Sequence, residues 1–245
     1  MADQCSSHSI NVTNDYGTPN LLFFYHIPLF SENMKDSLAA VLKDYSSWNS
    51  WELFEAEKQL QIQLQKETLP KDDTIESREK RTAYRAKVIA YLRENSEQGW
   101  LLLDQAPTPT SSSKTVKKVE ANSWIRQTLR SHYADKPSQV GVIFNIISNF
   151  IASNLAVEHK YYLTDVTFKF NTDVNIFQPT IRVSYFTINQ TPQEEVEDSV
   201  TLSIDMLDAS YHLDRSGWSD ANSKVKDEIA AGEKIRQEMM LDLLG

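Results

Sequence analysis

Three segments in the second half of the chain alternate apolar and polar residues, and each predicts a β-strand. In 164–170, Val166, Phe168 and Phe170 share one face; in 180–188, Ile181, Val183 and Tyr185 do; in 199–207, Val200, Leu202, Ile204 and Met206 do. Between them stand Thr167, Lys169, Arg182, Ser184, Thr201, Ser203 and Asp205. The pattern predicts an antiparallel sheet that is wet on one face. Segment 21–27, LLFFYHI, is almost wholly apolar and predicts a central strand buried on both faces, ended by Pro28. With Ile10 and Val12 across the turn-forming residues 14–19 it reads as an opening hairpin.

Other segments carry helical spacing. Ser31 caps a short predicted helix with Met34, Leu38, Val41 and Leu42 on one face. Residues 78–94 predict a helix that turns Ala83, Tyr84, Val88, Tyr91 and Leu92 inward and Arg78, Lys80, Arg81, Arg85 and Lys87 outward. Residues 116–133 predict another, with Val119, Trp124, Ile125 and Leu129 apolar, and 220–244 a terminal helix weakened at Gly232. Two stretches are less regular. Residues 59–65, QLQIQLQ, have the period of a strand although glutamine and leucine favour a helix, and the strand reading is taken. Residues 106–115, APTPTSSSKT, read as an exposed loop, where a sub-domain boundary would fall, and the short apolar run 100–103 just before them as a strand.

The order of strands, helices, strands and a helix predicts the α+β class: an antiparallel β-sheet with helices packed on one face, in a single domain over 1–245. No internal repeat of fixed period is present.

One stretch stands apart. From 137 to 157 there is no charged residue, and Val140, Ile143, Phe144, Ile147, Phe150, Ile151 and Leu155 fall on one helical face. Opposite them lie Gly141, Asn145, Ser148, Asn149 and Ala152. Such a helix belongs in a core, at a partner interface or on a membrane surface. It is too polar to span a bilayer stably, but it could insert conditionally.

Composition narrows the function classes. Six glycines, at 17, 99, 141, 217, 232 and 245, form neither a G-x-G-x-x-G nor a Walker A loop, so the phosphate-cradling folds are excluded. The net charge is −9, and 194–214 holds seven acids and no Lys or Arg, which argues against nucleic acid as a partner. The only cysteine, Cys5, rules out an intrachain disulfide and a cysteine-based zinc site. No apolar signal core follows a basic start, so the expected location is cytoplasmic, or outside the cell by a route without a cleaved signal.

Chemistry-bearing residues are sparse. The histidines at 8, 26, 132, 159 and 212 show no metal-ligand spacing, and no G-x-S-x-G elbow occurs. His212, near Asp205, Asp208 and Asp214, is the candidate for a carboxylate-oriented base, and Asp208 is the second catalytic candidate. The acidic cluster 194–198 reads as a solvated loop, and no cofactor or metal is expected.

The expected function is a non-enzymatic binding or assembly protein that self-associates or engages a protein partner. The surfaces assigned to it are the aromatic cluster of Trp48, Trp51 and Phe54 and the uncharged face of Ile143, Ile147, Phe150 and Ile151. The alternatives are a membrane-active, pore-forming toxin using 138–157, and a hydrolase with a scattered site near His212.

Overall fold

The structure, a computed structural model, describes residues 15, 21–26, 34–94, 100–132, 158–171, 176–193 and 198–244. Its framework is a meander of three long antiparallel strands: β3 (Glu158–Asn171), β4 (Ile176–Pro192) and β5 (Ser199–Leu213). Strand β2 (Leu101–Lys117) adds antiparallel to β5, and β1 (Leu21–His26) adds parallel to β3, for a sheet order of β1-β3-β4-β5-β2. Helices α1 (Lys35–Gln65) and α2 (Ile75–Glu94) come between β1 and β2, and α3 (Ala121–His132) follows β2 after one 3-10 turn. Helices α4 (Arg215–Asn222) and α5 (Lys226–Leu244) close the chain. The class is α+β, as expected, with α1, α2, α4 and α5 on one face of the sheet.

The strands are longer than the alternation predicts, and their apolar phase switches midway. At 17 residues, β4 runs about 55 Å at about 3.3 Å per residue. Tyr161, Phe186 and Met206 sit side by side across three strands and point to one face. Val166, Ile181 and Tyr211, also side by side, point to the other. The first set packs with Ile125 and Leu129 of α3. The second packs with Leu38, Val41, Tyr45 and Trp48 of α1 and Trp218 of α4. Each face is therefore dry at one end only, and α3 covers the end that the other helices leave.

Several expectations are corrected. Residues 59–65 are the last turns of α1 and not a strand: Leu60 and Leu64, one turn apart, are fully buried against Leu69 and Tyr84. Intrinsic propensity and the i, i+4 pair outweigh a seven-residue alternation. The predicted loop at 106–115 is the middle of β2, an edge strand among the described residues, and proline is tolerated on an edge because one row of backbone groups has no ladder partner. Among the described residues β1 is the opposite edge and not a central strand. Helix α5 runs unbroken through Gly232, where it approaches α1 so closely that a Cβ would stand 1.7 Å from the Ser50 carbonyl oxygen. Val119 is exposed in the turn before α3 rather than on its apolar face. Ile10 and Val12 of the predicted hairpin and the uncharged segment 137–157 lie outside the described residues.

The largest correction concerns α2. Arg81 and Arg85 do not face solvent; they are buried along the seam with α1, and Arg93 with them. Arg93 donates to Glu52 through Nε at 2.5 Å and Nη2 at 2.8 Å, and to Thr164 through Nη1 at 3.0 Å. Arg85 donates to Glu57 at 2.9 Å and to Asp15 at 2.7 Å. Arg81 takes Asp15 in a two-pronged grip at 2.8 and 2.7 Å and gives its remaining nitrogen to the carbonyls of Pro70 and Asp72. Buried charges persist only when paired and hydrogen-bonded in this way.

Candidate binding groove

With its arginines turned to α1, α2 offers a second face to the sheet. Lys80, Ala83, Tyr84, Lys87, Ala90 and Glu94 recur at helical spacing along it. The two alanines are too short to reach the strands, and a cavity of about 570 Å³ is left between helix and sheet. Its floor is the face of β3, β4 and β5 that carries Tyr162, Val183, Tyr185, Leu207, Ala209 and Tyr211. Tyr162 and Tyr185 are paired across the strands with ring centres 4.9 Å apart. The volume lies inside the range of small-molecule pockets. A second hollow of about 360 Å³, which shares Tyr185 and Leu207, carries the groove on toward Pro109 and Thr110 of β2.

The buried pair beneath the groove fixes its floor. Burial works against the Arg93 cation, but the Glu52 carboxylate outweighs it and holds the guanidinium above its ordinary pKa. Trp48 lies under the same guanidinium at 5.7 Å. Burial, and then the Glu94 charge, push the Tyr211 phenol up, so it stays a neutral hydrogen-bond donor at physiological pH.

The sequence-predicted site residues fall elsewhere. Asp208 does not meet His212, which lies on the same strand and bonds Asp104 on β2 at 2.6 Å. Asp208 instead accepts from His132, at the end of α3, at 2.5 Å. It also takes a short hydrogen bond from Ser184 and stands 3.4 Å from Arg182. Burial would raise the Asp208 carboxyl, but the hydrogen bonds from His132 and Ser184 and the Arg182 charge more than offset this and hold it below its ordinary value. The Ser184 hydroxyl is buried and gives its proton to the carboxylate rather than to an imidazole. Nucleophilic catalysis needs a base beside the hydroxyl; this arrangement pins α3 to the sheet.

Trp48 and Trp51 are core residues. Trp51 meets Trp100 and Trp218 edge-on or tilted at 4.9 and 6.1 Å, and Trp48 packs on Tyr45. Phe54 is half-buried, with Lys58 5.7 Å above its ring. Ile143, Ile147, Phe150 and Ile151 lie outside the described residues. Among the described residues no group of three His, Cys, Asp or Glu is placed to hold a metal, and no helix is long and apolar enough to cross a membrane.

The sequence pattern turns Ala83 and Tyr84 inward and puts Val183 and Tyr185 on an apolar strand face, but nothing in it joins these groove residues into a site. The signal that was present is the pair of small residues, Ala83 and Ala90, two turns apart on a face that also carries lysines.

No family model matches the chain, and no curated protein matches it. Among solved structures it is similar to one titled "Structure of the Evf virulence factor", at 10% identity and a TM-score of 0.44, over 95% of this chain and 85% of that one. A likeness of that degree assigns no function and no site residue.

Proposed function

We propose that this chain is a non-enzymatic binding protein whose ligand site is the groove between α2 and the sheet. The reading rests on one observation: a cavity of about 570 Å³ lined largely by tyrosine, valine, leucine and alanine, beside a seam between α1 and α2 that paired arginines close. Apolar surface left around an open volume of this size is what a small-molecule site presents. The test is fluorescence titration with the neutral probe N-phenyl-1-naphthylamine. The wild type is expected to bind it saturably, and Ala90→Phe and Val183→Trp, which fill the groove from opposite walls, to weaken binding at least about tenfold with melting temperature kept. Equal binding in both filled variants would sink the reading.

The assembly reading keeps one observation of its own. β2 is a 17-residue edge strand exposed along almost its whole length from Leu102 to Thr115. Pro107 and Pro109 blunt its first half, which leaves 111–117 as the stretch able to pair with another strand. Light scattering of the wild type and Ser113→Pro tests it: a dimer that becomes a monomer in the variant supports pairing, and a wild-type monomer at high concentration removes it. The membrane-active reading depends on 138–157 and gains no observation from the described residues.

A further inference from the structure

The ends of the groove differ in charge. On the α2 wall Lys80 and Lys87 stand two turns apart, and Glu94 stands two turns beyond Lys87. At about 1.5 Å per residue, Lys80 and Glu94 are roughly 21 Å apart. The floor adds a third cation. Arg93 touches Thr164 on β3, and Tyr162, two residues back, packs in one cluster with Ala86, Val88 and Ile89, so Lys160, about 13 Å from Thr164 along the strand, lies on the Lys87 side. Three lysines thus gather at one mouth of an apolar groove in a chain whose net charge is −9. Lys80 is already engaged with Glu76 at 2.6 Å, whereas Lys87 has no ion pair among the described residues. The concentration of cations runs against the background field, and it attracts an anion to that mouth in particular.

The walls speak to the body of the ligand. Four tyrosines, Tyr84, Tyr162, Tyr185 and Tyr211, line the cavity, and Tyr162 and Tyr185, with ring centres 4.9 Å apart, form a paired aromatic surface on its floor over which another flat ring can lie. Resting on the groove reading above, we infer that the site takes a small organic anion with an aromatic body. Its rings lie over Tyr162 and Tyr185, and its charge sits at Lys87, with Lys160 adding to the field there.

Two probes with one ring skeleton test this. 1-Anilinonaphthalene-8-sulfonate carries an anion that N-phenyl-1-naphthylamine lacks. The sulfonate is expected to bind at least about tenfold more tightly at about 20 mM salt, and the advantage to shrink at about 500 mM. Lys87→Gln with Lys160→Gln is expected to cost the sulfonate about fivefold to tenfold and leave the neutral probe unchanged, as exposed charge pairs of modest strength would. Dodecanoate, an anion with an alkyl body, is expected to displace the sulfonate less well than 2-naphthoate does. Equal affinity for the two probes, unaffected by the lysine substitutions, overturns the anion inference and leaves the groove reading standing. Better displacement by dodecanoate overturns the aromatic body. Binding of neither probe overturns both this inference and the groove reading.

Discussion

Two polar-to-apolar boundaries in the sheet are built in opposite ways. Beyond the last apolar contacts of α3, the strands carry Ser184 and Asp208, and these meet Arg182 and His132 in a network whose members satisfy one another. Where α2 covers the opposite face, the strands carry Tyr162, Tyr185 and Leu207, and the helix answers with alanine and empty volume. The first region closes on itself, each polar group turned to another of the network. The second keeps apolar surface that no part of the described chain covers. Where side chains satisfy each other they hold the fold; where they leave volume they can hold something else.

The sharpest way to break this comparison is at the groove floor. Arg93→Met leaves Glu52 buried without its counter-charge and is expected to lower the unfolding free energy by about 3–5 kcal/mol in urea titrations. Neutral-probe binding should weaken with it. Glu52→Gln combined with Arg93→Met should recover much of that loss, because a buried pair removed whole costs far less than one partner removed alone. If the double variant is no better than the single one, the pair is not what shapes the floor.

On the other face, Asp208→Asn is expected to cost about 1–2 kcal/mol and to leave groove binding unchanged. The folded-state pKa of Asp208 is depressed, so its contribution is complete above the unfolded carboxyl value of about 4 and is lost as pH falls through the lowered one. A pH series of melts should therefore show a shallower acid limb in the variant; identical limbs would remove Asp208 from the acid sensitivity. Ser184→Ala is expected to cost about 1 kcal/mol, since it takes away one donor and leaves a small gap. The smallest effect belongs to the groove wall: Ala83→Leu should change stability by less than about 0.5 kcal/mol, because it grows into open volume, while it lowers probe affinity several-fold. A large loss of stability there would mean that the volume is not open.

The meander was legible because β3, β4 and β5 alternate over enough residues to outvote local noise, and because the expected α+β class needs only that alternation and the helical segments. The phase switch was not. Val166 and Phe168 declare one face, but Tyr161 and Leu163 five residues earlier declare the other, and only a helix on each side gives both a meaning. The buried arginines were invisible for a related reason. Arg81 meets Asp15 66 residues away, and Arg93 meets Glu52 41 residues away, so nothing local distinguishes them from solvated cations. The same distance hides the partner of Asp208, which is His132, 76 residues off, while His212 stands nearby in sequence and faces another carboxylate. A groove is harder still, since it is made of what residues do not fill.

The grip of two arginines on Asp15 has a practical side. Judged by its described strands and helices alone, a shortened chain could begin at Leu21. Such a trimmed version would keep Arg81 and Arg85 buried without the three charge-assisted bonds that Asp15 accepts from them. Anyone preparing this protein for crystals or for binding measurements should therefore place tags and cleavage sites ahead of Asp15.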